Sequence, residues 1–148
     1  MNIAKIIDHT NIKKEATAKD IKKTCQEAKF FGFRGVCVKS KWVKLVKKEL
    51  EGTGIKVVVL IDPPIGDSPH KKRIQLSQKA KKDGADEIDV VIPIPEVKHG
   101  RWEKVFQDFC GINVSAACAR KENYTTQKIL STEKINHPVW RPVLPSKR

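Results

Sequence analysis

The chain has 148 residues, 39% of them hydrophobic and 32% charged, which fits one soluble domain with a modest core. Lys and Arg total 30 against 17 Asp and Glu, a net charge of +13. No apolar run is long enough to span a bilayer, and the start Met1-Asn2-Ile3-Ala4-Lys5 has no signal-peptide core, so membrane and secreted classes are set aside and a cytoplasmic site is expected. In chain order, the first predicted element is a helix over 17–32. Thr17 and Asp20 form a capping box, Ile21, Cys25 and Ala28 repeat at i, i+4, i+7, and Gly32 supplies a stop. Gly35-Val36-Cys37-Val38 comes next as a short strand. A second helix is expected over 41–50, with Val43, Val46 and Leu50 on one side and Gly52 and Gly54 after it. Residues 56–61, Lys-Val-Val-Val-Leu-Ile, form the clearest strand, apolar on both faces like a central parallel strand under helices.

Residues 70–83 are polar and weakly periodic, and a crossover helix is the economical assignment. The third strand spans 87–92, and a last helix covers 96–109. Alternating strands and helices predict an α/β fold of three parallel strands in βα units. From Cys110 the pattern lapses: Pro138, Pro142 and Pro145 interrupt the apolar stretches, and 110–148 is expected to be an irregular, basic tail. The domain division is thus 1–109 and 110–148.

The charge is uneven. Residues 1–50 carry 13 basic against 5 acidic side chains, 51–100 carry 8 of each, and 101–148 carry 9 against 4. Such a surface can neutralise phosphates, but no helix-turn-helix, RNA-recognition motif or aromatic–basic interleaving accompanies it. The plainer expectation is that Lys22, Lys23, Lys44, Lys47 and Lys48 line the solvent faces of helices. Cys25, Cys37, Cys110 and Cys118 lack metal spacing, as do the four scattered histidines, so neither metal nor disulfide framework is expected. G-x-G-x-x-G, G-x-x-x-x-G-K-[ST] and G-x-S-x-G are absent, and no nucleotide cofactor is implied.

Ligands bind parallel sheets at the carboxyl ends of the strands, which directs attention to Val38, Ile61, Ile92 and the residues just past them. Asp89 is an ionisable residue within an apolar strand: either a functional acid or an acid at the sheet margin. Cys37 lies mid-strand between two valines and is either a pocket thiol or a small packing residue. Lys39 shares its face if the strand persists, and otherwise begins a loop. Asp8, ahead of His9-Thr10, is a cap or turn residue on local grounds.

These same residues carry a resemblance. Ile7-Asp8-His9-Thr10 with Glu15-Ala16-Thr17 resembles the opening of the deoxyribose-phosphate aldolases. Gly32-Phe33 with Val36-Cys37-Val38, Gly52-Thr53-Gly54-Ile55-Lys56-Val57, Gly84-Ala85-Asp86-Glu87-Ile88-Asp89-Val90-Val91-Ile92 and Gly100-Arg101-Trp102 are similar to successive later motifs, in order, up to about Phe109. The resemblance implies a class I aldolase on a TIM barrel. It implies reversible cleavage of 2-deoxy-D-ribose 5-phosphate to acetaldehyde and D-glyceraldehyde 3-phosphate through a lysine Schiff base, without metal. It makes Asp89 the acid–base residue, places Cys37 in the pocket wall and has Asp8 orient polar groups.

The departures are equally definite. Asp62-Pro63-Pro64-Ile65-Gly66 replaces G-F-P-x-G, Lys14 replaces a proline, and Lys39 and Pro93 stand where asparagine is usual. The K-T-S-T-G segment bearing the imine-forming lysine is absent, as are the second active-site lysine and the late phosphate loops. A complete barrel needs about 200 to 250 residues. The expectation is therefore half a TIM barrel, truncated or with its C-terminus replaced, inactive alone. Its open edge would make it marginally stable, aggregating or paired with another copy as a homo-oligomer. The partner implied is a small sugar phosphate rather than a membrane or nucleic acid. A non-catalytic basic protein binding nucleic acid or sugar phosphate is the alternative.

Overall fold

A computed structural model of the chain describes residues 2–118. Four parallel strands form one sheet in the order β1 (Asp8–Asn11), β2 (Gly35–Lys39), β3 (Lys56–Ile61) and β4 (Glu87–Val90). The helices are α1 (Ala18–Phe31), α2 (Val43–Glu49), α3 (His70–Lys82), α4 (Ile94–Lys98) and α5 (Trp102–Cys118). The sheet does not close on itself, so the α/β half-barrel expectation holds, with four strands rather than three.

The added strand is β1. Its sequence, Asp-His-Thr-Asn, has no apolar residue and so no hydrophobic signal. It sits at the sheet edge, where His9 Nε2 meets Glu27 Oε2 of α1 at 2.8 Å and its ring stacks obliquely on Phe33. Polar side chains can build this strand because only one of its sides is paired.

Register fixes which residues share a face. Asp8 pairs with Gly35, Thr10 with Cys37, Cys37 with Val58, Val58 with Glu87, and Leu60 with both Lys39 and Asp89. Side chains alternate along a strand, so two sets emerge. Val36, Val38, Val57, Val59 and Ile61 face the helices and join Ile21, Cys25, Ala28, Val43, Val46, Leu50 and Ala80 in the core. Asp8, Thr10, Cys37, Lys39, Val58, Leu60, Glu87 and Asp89 occupy the other face, which none of the described helices covers.

Helix α1 obeys its signals. Thr17 N–H donates to Asp20 Oδ2 at 2.8 Å, Asp20 N–H donates back to Thr17 Oγ1 at 3.3 Å, and Gly32 takes the left-handed conformation at φ 66°. Helix α3 explains its weak periodicity: its buried positions are Arg73, Ser77 and Ala80, a core stripe at i, i+4, i+7 written largely in polar residues. The helix expected over 96–109 is two. Helix α4 ends at Lys98, Gly100 reverses the chain at φ 66°, and α5 starts at Trp102.

Helix α5 also runs past residue 109 to Cys118, correcting the expectation of irregular chain from 110 onward. Gly111 permits this packing: a Cβ there would lie 2.6 Å from His70 Cε1 on α3. Ile112 comes next, buried against the same side. The domain boundary placed after 109 falls inside this helix, and the Pro-containing tail from residue 119 lies outside the described residues. Among the described residues no helix is long and apolar enough to cross a membrane.

Candidate functional site

The uncovered sheet face gathers all three sequence-derived candidates, at different heights. Asp8 lies at the amino end of the sheet, Cys37 in the middle, and Asp89 at the carboxyl end, level with Lys39. Strand β2 includes Lys39, so this lysine shares the face of Cys37 instead of beginning a loop.

Arg34, just ahead of β2, ties the base together. One guanidinium nitrogen donates to both Asp8 oxygens at 2.9 and 2.7 Å, and the other donates to Glu87 Oε1 at 2.6 Å. Glu87 and Asp8 each hold the guanidinium in its charged form. The bridge spans β1 to β4 across the face. Gly35 must lack a side chain for this to happen, because a Cβ would sit 2.3 Å from Asp8 Oδ1. Asp8 is thus an ion-pair partner, not the cap or turn residue of its local reading.

Cys37 is 4% exposed although it faces away from the helices. Burial, then the nearby Asp89 charge, push its thiol from the ordinary 9.0 to about 11, against a hydrogen bond from Thr10 that pulls it down. Such a thiol stays protonated at neutral pH. Asp89 is exposed, at the outermost strand, yet its carboxyl is held above the usual carboxylate range. Partial burial is the largest cause, followed by repulsion from Asp8 and Glu87, with Arg34 opposing. Strand β4 is shorter than the expected 87–92, so Asp89 stands one residue from its end, at the margin of the sheet as well as on the candidate face.

Sequence reasoning missed a second charged group, beside the carboxyl end of β3. Arg73 is 1% exposed. It donates to Asp62 Oδ2 at 3.0 Å, Gly66 O at 2.8 Å and Val91 O at 2.6 Å, and lies 2.8 Å from Asp108 Oδ2. Asp108 also pairs with His70, Oδ1 to Nδ1, at 2.7 Å. Asp62 has φ 60° and also accepts from Ser68 N–H and Oγ. The group fastens the β3–α3 loop, the end of β4 and α5 to one guanidinium, which shapes the carboxyl-end rim. A basic residue at a core position of α3 was the available signal.

A cavity of about 430 Å³ beside this loop, and another of about 490 Å³ near Lys44, Lys48 and Lys56 at the amino end, contain neither Asp89 nor Cys37. The candidate face is open rather than enclosed because the sheet is unclosed. Among the described residues no group of three or more His, Cys, Asp or Glu could hold a metal ion. Four of the lysines expected on solvent faces are exposed and paired: Lys22 with Glu49, Lys23 with Glu27, Lys44 with Asp83 and Lys47 with Asp86.

Comparison with known proteins points the same way. A family model described as DeoC/LacD family aldolase matches residues 2–122, beyond the limit near Phe109 that the motifs had suggested. A deoxyribose-phosphate aldolase from Thermotoga maritima is 43% identical over 107 residues, covering 72% of this chain and 43% of that protein. One from Clostridium botulinum is 38% identical over 133 residues, 90% of this chain and 62% of that protein. A crystal structure from Coccidioides immitis, described as a deoxyribose-phosphate aldolase, superposes with a TM-score of 0.76 at 34% identity, covering 78% of this chain and 46% of that one. The chain spans about half the length of the curated relatives it matches.

Proposed function

The chain belongs to the DeoC/LacD family of aldolases, and from that premise we propose that it carries one half of a deoxyribose-phosphate aldolase site, for a sugar phosphate in the cytoplasm. The observation that carries this reading is Asp89: a carboxyl raised by burial and by two neighbouring acids, on the open face, within electrostatic reach of a protonated Cys37. A carboxyl moved toward neutrality can both take and return a proton, as cleavage beside an imine requires. Asp89 exchanges that proton, Cys37 walls the pocket beside the reacting carbons, and Asp8 holds Arg34 and with it the floor.

The imine itself needs an amine that the 148 residues do not offer in a K-T-S-T-G segment. On this reading the chain alone does not cleave 2-deoxy-D-ribose 5-phosphate. Incubation with acetaldehyde and borohydride, followed by peptide mass spectrometry, is expected to leave every lysine unmodified at stoichiometric level. A stable ethyl adduct on one lysine, Lys39 included, would overturn the inactivity. Fusing residues 2–118 to the second half of a relative's barrel tests the site. Cleavage should appear and fall at least about 10²-fold in Asp89→Asn, the usual scale of a lost acid–base group. A folded fusion whose cleavage ignores Asp89 would refute the assignment.

A further inference from the structure

The sheet has two unpaired edges of equal length, β1 and β4, four residues each. Each presents backbone N–H and C=O groups with no partner strand among the described residues. All four strands run the same way. A second copy rotated about an axis along the strands therefore brings its β1 beside β4 and its β4 beside β1, both pairings parallel. Two such junctions are related by the same two-fold axis and leave no edge. Four strands plus four make eight, the number that closes a (β/α)8 barrel.

The side chains flanking these edges suit that junction. Beyond β4, α5 turns Asp108 and Ile112 inward, while Trp102, Phe106 and Phe109 form a neighbouring stripe at i, i+4, i+7 that is 54%, 49% and 38% exposed. Beside β1, Phe30 is 83% and Phe31 57% exposed, at the end of a ring ladder running through Phe33 to His9 on β1 itself. Ile3 and Ile6, just ahead of β1, are 65% and 63% exposed. Both edges thus carry uncovered apolar side chains.

Charge permits the closure. The face to be enclosed carries Asp8, Glu87 and Asp89, partly offset by Lys39 in β2 and by Arg34 across the floor.

We propose that two copies of this chain close edge to edge, β4 of each beside β1 of the other, into a single eight-stranded barrel. The candidate site is incomplete without the second copy, because Asp89 is exposed in one copy and closure puts a wall around it, whereas Cys37 is already buried. The inference rests on the family fold but not on any catalytic role, so aldehyde trapping and the measurements of assembly fail independently.

Light scattering after gel filtration of the full chain should give twice the 16.7 kDa of one copy. Phe106→Lys, at a half-exposed position, should return the single mass with an unchanged far-ultraviolet spectrum. Within one copy β1 and β4 are three strand spacings apart, about 14 Å. In a Cys37→Ala, Cys110→Ser, Cys118→Ser background, which also removes the thiol in register beside Thr10, Thr10→Cys with Asp89→Cys should cross-link between copies through a bis-maleimide too short to span that distance. Neither single variant should do so. A folded monomer, an open-ended assembly, or a dimer that neither cross-links this way nor responds to Phe106→Lys would overturn the proposal.

Discussion

Replacing Arg73 by Met should be among the most destabilising single changes the fold allows. The guanidinium is 1% exposed and faces two carboxylates whose side chains are 10% and 8% exposed, Asp62 and Asp108. It also satisfies two carbonyl oxygens, Gly66 and Val91. Methionine keeps most of the volume and removes every donor. What remains is a pair of buried negative charges close to one another, and breaking a buried pair from one side costs about 3 to 5 kcal/mol. A small domain holds only about 5 to 15 kcal/mol in total. With a urea slope near 2 kcal/mol/M, the midpoint should fall by about 2 M. Urea titration followed by circular dichroism measures this directly. The triple variant Arg73→Met, Asp62→Asn, Asp108→Asn should recover much of the loss, because it removes the stranded charges as well. A single variant costing under about 1 kcal/mol, or a triple variant worse than the single, would refute the reasoning.

Gly35→Ala should lower stability by about 1 to 3 kcal/mol, as overpacking does, since the new methyl must displace an Asp8 carboxylate pinned by Arg34; thermal melting checks it. Asp89→Asn should behave oppositely and leave stability at pH 7 unchanged or slightly raised, within about 0.5 kcal/mol. The sign comes from its raised carboxyl: folding favours the protonated form, so that contribution is present at low pH and lost as pH rises through the folded value. A melting temperature well below that of the parent chain would show that Asp89 is held by a favourable charge contact. Cys25 and Cys37 are both raised by burial from 9.0 to about 11, so their contribution to stability should be complete below pH 9 and fade toward pH 11. Melting across that window should show a shallower decline in Cys25→Ala than in the parent, and an equal slope would count against the burial argument.

The helix-facing half of the fold was legible in the sequence, because there each position has one dominant cause. Thr17 and Asp20 mark a start, Ile21, Cys25 and Ala28 mark a face, and Val57 to Ile61 mark a strand buried by helices. Strand β1, the buried face of the correctly placed helix α3 and the far end of α5 were hidden, for separate physical reasons. Strand β1 is an edge strand built from polar residues, and its pairing to β2 is invisible to a hydrophobic pattern. Helix α3 buries an arginine and a serine where a leucine would have advertised the face. Helix α5 continues through residues 110–118, which show no clean period, and Gly111 there lets it approach His70 closely. Candidate residues Asp8, Cys37 and Asp89 were found by strand context and family resemblance. Their common face became visible only with the register, and Arg34 and Arg73 joined them only through long-range contacts.

The two faces of the sheet divide the work between them, and this bears on how far the chain can depart from its relatives. The valines of β2 and β3 that meet the helices are 0% exposed and supply the core. The opposite face holds the ionisable groups, and few of them contribute to that core. Changes on the open face therefore leave folding largely intact, provided the Asp8–Arg34–Glu87 bridge survives. Lys39 is such a change, lying on the candidate face and outside the core cluster. Pro93 is tolerated for another reason: it is buried at the N-cap of α4, where the helix start leaves its N–H unpaired in any case. A chain in this family can thus alter its chemistry at the carboxyl end while keeping the βα framework.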